Sequence, residues 1–271
     1  MLRGSYARPD RCANPANKLF SNNTYLSGRR NKIHDKNAKL VSDVENLVSV
    51  EACLGTEDSC IDFTHGEKPL RFEVLSVLQQ LKDAASQHGY DIAVASGYRS
   101  FAQQLHIWNA KAKGERPVLD SEEREIAREL MSPGDIMFAI LRWSALPGAS
   151  RHHWGTDFDI YDRAAMPPDY SLQLTVAETQ AGGVFASMYQ WLDTFLQSNS
   201  LGFYRPYARD TGGIAPEPWH MSYQPLAVHY QHVLNIDVLA RQIQATDIVF
   251  KREILQNLDE IYHRFVLPPI S

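Results

Sequence analysis

Ser150-Arg151-His152-His153-Trp154-Gly155-Thr156-Asp157-Phe158-Asp159 is the stretch on which the reading of this chain turns, with Glu217-Pro218-Trp219-His220 as its distant counterpart. From Thr156 to Tyr161 the residues alternate. Asp157, Asp159 and Tyr161 take one face, Phe158 and Ile160 the other, which predicts a half-buried strand carrying polar groups into a cleft. The two segments also hold the chain's densest collection of metal-type ligands. A catalytic zinc needs about three protein ligands from His, Asp, Glu or Cys, with one position left open. His152, Asp159 and His220 would supply that set, with Glu217 beside it as a carboxylate able to take a proton from water. His153 and Asp157 lie within the same eight residues and are alternatives to His152 and Asp159. Glu217 and His220 are three apart, a spacing that shares a face on a helix but not on an ideal strand. Pro218 argues against a helix interior and for a strand entry or kink that could turn both inward.

Outward from these segments, helical periodicity is expected over Lys39–Leu54 and from Leu70 to about His88-Gly89, where glycine suits a helix end. Tyr90–Ala95 reads as a buried strand leading into Ser96-Gly97-Tyr98-Arg99-Ser100. Phe101–Lys113 should be helical. Ser132-Pro133-Gly134-Asp135 reads as a helix start, with a capping serine, a first-turn proline and an acid three positions on; the helix should reach about Leu141. Val184–Leu196 is a further helix, Gly202–Tyr207 and Trp219–Tyr223 are candidate strands, and one long helical pattern covers Asn235–Phe265. Strands and helices do not alternate regularly, so the expected fold class is α+β, a small antiparallel sheet flanked by helices, rather than a doubly wound parallel sheet.

The chain has 271 residues, 44% of them hydrophobic and 22% charged, enough for one large domain with appendages. Residues 1–38 are rich in Arg, Lys, Asn and Ser and are expected to form a flexible basic leader, with a single domain over residues 39–271. The leader has no apolar core of about 7–15 residues, as a secretory signal would. A formal charge of −5 argues against nucleic acid as a partner. No apolar run approaches the roughly 18–20 residues of a membrane span. Cys12, Cys53 and Cys60 lie outside both ligand-bearing segments; a Cys53–Cys60 disulfide and free structural thiols are both open readings.

Three segments together resemble the zinc D-alanyl-D-alanine carboxypeptidases, the VanY-type peptidases of family M15. The family pattern is S-G-Y-R-S with a glutamine four residues on, then S-x-H-x-x-G-x-x-x-D, then E-x-W-H. Here it reads Ser96-Gly97-Tyr98-Arg99-Ser100 with Gln104, then Ser150, His152, Gly155 and Asp159, then Glu217-Pro218-Trp219-His220. The resemblance covers roughly residues 70–225, with a C-terminal helical extension over 235–265. It implies that His152, Asp159 and His220 bind Zn2+, that Glu217 is the catalytic base and that Arg99 stabilises the oxyanion or holds the terminal carboxylate. It implies further that Ser150, Gln104, Ser100, Tyr98 and Trp219 contact the substrate, a peptidoglycan stem peptide, and it suggests the bacterial cell envelope as the setting. The expected activity is removal of a terminal D-amino acid, of D,D or L,D type; cleavage within the stem peptide, or a non-catalytic binding module stabilised by zinc, are the rival readings. The chain departs from the pattern after His220: the family often continues with an aromatic residue and an arginine before a tyrosine, where this chain has Met221-Ser222-Tyr223.

Read singly, most of these residues have blander explanations. A lone histidine is usually a surface or core residue, and His229 and His232 read as a solvated helix face. The aromatics from Phe203 to Tyr207 read as core and loop packing. It is the intact segments that shift Arg99 and Glu217 towards a site.

Overall fold

The structure, a computed structural model, describes residues 48–267. The basic leader and most of the expected helix at 39–54 lie outside them. Within the described part the first helix, α1, is short, Val50–Leu54. Ser49 precedes it in an extended conformation and its hydroxyl accepts the Ala52 amide, so no helix runs through residue 49.

A small hairpin follows, β1 (Ile61–Asp62) with β2 (Leu70–Arg71), and leads directly into α2 (Phe72–Ser86). Leu70 is thus the strand before the expected helix rather than its first turn. β3 (Ile92–Ser96) delivers the chain to α3 (Phe101–Lys113). The α3 boundaries have local causes. Ser100 and Gln103 form a reciprocal capping box at the start, and Gly114, at φ 82°, closes the end. α4 (Pro133–Trp143) begins with the same device built from Ser132 and Asp135. Then come β4 (Asp157–Asp162), the short α5 (Val176–Thr179), α6 (Ala186–Ser198), β5 (Phe203–Tyr204) and β6 (His220–Tyr223). The candidate strand at 202–207 is therefore only two residues long.

The long closing helix expected over 235–265 does not form as one rod. It is preceded by α7 (Gln224–Val233) and divides into α8 (Ile236–Ala245), α9 (Lys251–Gln256) and α10 (Leu258–Ile261), ending in a π turn at Tyr262–Val266. The break after α8 coincides with Phe250 at φ 66°, which no helix can include. Hydrophobic periodicity survives such a break because each piece still faces the same apolar cluster.

The main sheet has the order β3-β4-β6-β5, antiparallel at every pairing. Its period-2 alternation divides the molecule. Ile92, Val94, Phe158, Ile160, Phe203 and Met221 pack with α2 and α6 in one core cluster. Asp157, Asp159, His220 and Ser222 occupy the other face, which a second cluster, from α1, α3, α4 and the C-terminal helices, closes over. β4 is therefore buried on both faces, Asp157 included at 0% exposure, and not half-buried as its alternation suggests. Burying Phe158 contributes about 1.5–3 kcal/mol; the polar face must be satisfied by its own partners. Cys53 is a free thiol buried against this second cluster, and burial pushes it up to about 12. The Cys53–Cys60 bridge does not form. Among the described residues no helix is long and apolar enough to cross a membrane.

The turn between the ligand-bearing segment and β4 depends on Gly155. Its φ is 65°, its carbonyl accepts the Arg71 amide at 3.0 Å, and a Cβ there would lie 2.4 Å from Ile61 Cδ1. Gly155→Ala is expected to destabilise the protein by about 1–3 kcal/mol, read as a lowered urea midpoint with unchanged slope.

Candidate active site

The pairing of β4 with β6 sets Asp159 directly opposite His220 and Asp157 opposite Ser222. Residues opposite each other have Cβ atoms about 4.5–5.5 Å apart, so a ligand pair distant in sequence becomes adjacent through the sheet alone. His152 arrives from a 3₁₀ turn, Arg151–Trp154, placed just before β4. The Arg99 amide donates to the His152 carbonyl at 3.1 Å, which ties that turn to the segment after β3. The ligand atoms of His152, Asp159 and His220 all lie within 4.8 Å of one another, and all three residues are buried.

The outer hydrogen bonds of the two imidazoles set which nitrogen faces the centre. His152 Nδ1 lies 2.9 Å from the Gly97 carbonyl, which can only accept, so Nδ1 carries the proton and Nε2 presents its lone pair, 3.5 Å from Asp159 Oδ2. His220 Nε2 lies 3.0 Å from Asp157 Oδ1, which leaves Nδ1 directed at Asp159 Oδ1, 3.2 Å away. Asp159 Oδ1 and His220 Nδ1 are both buried and neither has a hydrogen-bond partner. Two lone-pair nitrogens and a carboxylate converging on one point, two of their atoms otherwise orphaned, fit a divalent cation. Without one, His220 holds a proton there instead, between the two ionised carboxylates. Burial disfavours charge on His220, but Asp157 and Asp159 outweigh it and push its pKa up to about 9, while burial takes His152 down to about 4.

The alternatives His153 and Asp157 are accounted for by their partners. His153 Nδ1 donates to the Arg99 carbonyl at 2.6 Å and Nε2 accepts the Gly148 amide at 3.1 Å, so neither nitrogen is available. Asp157 is ion-paired with Arg151 at 2.7 Å and accepts from Thr156 and Ser222 hydroxyls. Arg151, 2% exposed, also donates to Tyr204 and Ser222 and lies over the Trp154 ring. This layer sits behind His220 as a buried, mutually bonded network in which Arg151 Nη1 is left without a partner.

Glu217 is brought in by a turn. The His220 amide donates to the Glu217 carbonyl at 3.1 Å, so the chain reverses through Pro218-Trp219, and the Glu217 carboxylate comes within 3.6 Å of His220 Nδ1. Burial, with the nearby Asp159 charge, pushes Glu217 up to about 7 although His220, Arg99 and Lys111 pull the other way. That value suits a group that both takes and gives a proton near neutrality. Arg99 is braced from two sides, Nη1 donating to Gln104 Oε1 at 2.8 Å and Nη2 to Ser96 Oγ at 3.1 Å.

A cleft of ≈ 210 Å³ joins these groups; Arg99, Ser150, His152, Asp159, Glu217, Trp219 and His220 all border it. Gln104 does not, being occupied with Arg99 and the Ala145 carbonyl. Ser100 is spent on capping α3. Tyr98 borders a separate surface depression that shares Arg99 with the cleft. Residues that sequence reasoning did not place here also line it: Leu174 from the segment after β4, and Tyr207, whose ring meets His220 edge-on at 5.0 Å. Nothing in the periodicity marks either one, since both lie outside regular strands and helices. Arg205 is paired with Asp193.

A family model described as VanY, D-alanyl-D-alanine carboxypeptidase, matches residues 67–226. An uncharacterized protein of Haemophilus influenzae is 29% identical over 122 residues, 45% of this chain and 93% of that protein. A D-alanyl-D-alanine carboxypeptidase of Enterococcus faecalis is 29% identical over 171 residues, 59% of this chain but only 50% of that longer protein. Among solved structures, the vancomycin resistance D,D-pentapeptidase VanY in complex with Zn(II) is similar at 22% identity and a TM-score of 0.42, over 72% of this chain and 88% of that one.

The buried Arg151–Asp157 pair yields a stability prediction. Asp157→Ala leaves a guanidinium buried without its counter-charge and should cost about 3–5 kcal/mol, measured by chemical denaturation. Burial opposes the Asp157 charge but Arg151 and His220 outweigh it, lowering its pKa to about 2. Its stabilising contribution is therefore complete above the unfolded value of about 3.9 and should vanish in titrations as the pH falls to about 2.

Proposed function

This chain belongs to the VanY D-alanyl-D-alanine carboxypeptidase family, and from that premise we propose that it is a zinc-dependent peptidase releasing a terminal D-amino acid from peptidoglycan stem peptides. The observation that carries the reading is the convergence of His152, Asp159 and His220 with the Glu217 carboxylate at their edge. His152 Nε2, the Asp159 carboxylate and His220 Nδ1 would hold the zinc. When bound, zinc supplies Lewis acidity that polarises the scissile carbonyl and acidifies the attacking water.

The chain's own groups do the rest. Glu217 takes a proton from the water as its oxygen bonds to the carbonyl carbon, then delivers that proton to the leaving amine as the C–N bond breaks. Arg99, with two of its five N–H groups committed to Gln104 and Ser96, turns its remaining donors to the oxygens of the substrate, where they stabilise developing negative charge. Ser150 and Trp219 border the cleft and contact the peptide there, while Asp157 keeps His220 in the tautomer that the metal requires.

A cleft of ≈ 210 Å³ is below the roughly 300–1,000 Å³ of pockets that swallow a whole drug-sized ligand. That favours a short terminal segment of peptide. One observation supports cleavage inside the stem peptide instead: Arg99 also borders the second depression, with Tyr98, Gln103, His106 and Arg116, along which a chain could continue.

Mass spectrometry of stem peptides incubated with the zinc-loaded protein decides between them. A single D-amino acid released supports the carboxypeptidase reading, two peptide fragments the endopeptidase one, and no cleavage at all the binding module. Glu217→Ala should retain zinc stoichiometrically and lose about 10²–10⁴-fold in kcat; substantial residual turnover would reject its role as base. Arg99→Lys should lose about 10²–10³-fold, because an ammonium cannot reproduce the planar, multiply braced donor.

A further inference from the structure

Leu174 lies in the segment joining β4 to α6 and borders the cleft along with Arg99, Glu217 and Trp219. Its φ is 56°, in the left-handed region that residues with a side chain rarely adopt. A neighbouring side chain imposes this conformation. Glu178, 5% exposed, accepts the Gln173 amide at 2.9 Å on one carboxylate oxygen and the Thr175 amide at 3.0 Å on the other, so the amides on either side of Leu174 end on the same carboxylate. The Tyr170 hydroxyl adds a third bond at 2.6 Å. The loop is shut behind them, since a Cβ on Gly183 would lie 2.2 Å from the Ala177 carbonyl oxygen. Glycine or asparagine would adopt this backbone more readily. What leucine adds at the position is its side chain, half-buried between the core cluster under the sheet and the cleft.

We propose that Leu174 is a specificity-determining residue, clamped by Glu178 so that it narrows the cleft beside the scissile amide and admits only a small substrate side chain there, of the size of alanine's methyl. The assignment rests on the peptidase reading above. Glu178 is the positioning residue, acting through the loop and not on the substrate.

The test compares two stem peptides identical except for their terminal residue, D-alanine or D-leucine, with the zinc-loaded protein. A pocket that rejects extra methylenes discriminates by about 10–200-fold. The wild type should show a preference of that order for D-alanine in kcat/KM, and Leu174→Gly should reduce it by at least about tenfold, mostly through a lower KM for the D-leucine peptide. Glycine accepts the native φ, so the variant should keep its thermal midpoint within a few degrees; Leu174→Asn serves as a second variant with the same tolerance. Glu178→Gln, which sets an amide group against a backbone N–H, should move the preference in the same direction with a KM change and little change in kcat. Calorimetric affinities for both peptides in zinc-loaded Glu217→Ala, with and without Leu174→Gly, read the same selectivity without turnover. Preference equal in wild type and folded Leu174→Gly, or no preference in the wild type, overturns the inference while cleavage itself upholds the peptidase reading. Selective binding that Leu174→Gly abolishes, without cleavage by the wild type, supports the inference and rejects that reading. Neither binding nor cleavage overturns both.

Discussion

The register between β4 and β6 is the constraint from which the site follows. Because Asp159 pairs with His220, and Asp157 with Ser222, two rows of polar groups stand side by side on one face of the sheet without any loop having to bring them together. A slip of one residue would turn every one of these side chains into the apolar cluster and put Phe158, Ile160 and Met221 in their place. The hydrophobic face thus enforces the polar one. Packing of α2 and α6 on the sheet and alignment of the candidate ligands are a single structural event.

That arrangement places charge where water is scarce. Arg151, Asp157, Asp159, His152 and His220 are all at or below 8% exposure. Most of them answer the desolvation cost with partners: Arg151 with Asp157, Ser222 and Tyr204, His152 with the Gly97 carbonyl, His220 with Asp157. Arg151 Nη1, Asp159 Oδ1 and His220 Nδ1 are left without hydrogen-bond partners, and the last two sit at the centre, where an added cation would complete them. A fold that bonds most of the outer ring and leaves the inner atoms bare is preorganised for binding there.

Much of this was legible in the residues themselves. Ser100 and Ser132 marked α3 and α4 because capping is local chemistry, and the alternation through Asp157–Tyr161 identified β4 and its two faces. The segments around His152, Asp159 and His220 identified the family. What escaped was non-local. The burial of both faces of β4 comes from helices outside its own segment, several of them far along the chain, and the division of the C-terminal helical pattern turns on the backbone at Phe250, which apolar periodicity does not register. His153 and Asp157 could not be told from His152 and Asp159 by ligand type; the difference lies in the carbonyl of Arg99, the amide of Gly148 and the guanidinium of Arg151. Leu174 and Tyr207 reach the cleft from irregular segments for which no sequence period exists.

The guanidinium of Arg151 reaches Ser222, the position at which the resembling pattern often carries an arginine of its own. In this chain a positive charge behind the second histidine is delivered from the turn before β4 instead of from β6. Residues 151, 157 and 222 therefore act as one electrostatic unit. An arginine at 222 beside an unchanged Arg151 would crowd two like charges into one dry space, and loss of Arg151 alone would leave the acid at 157 unanswered.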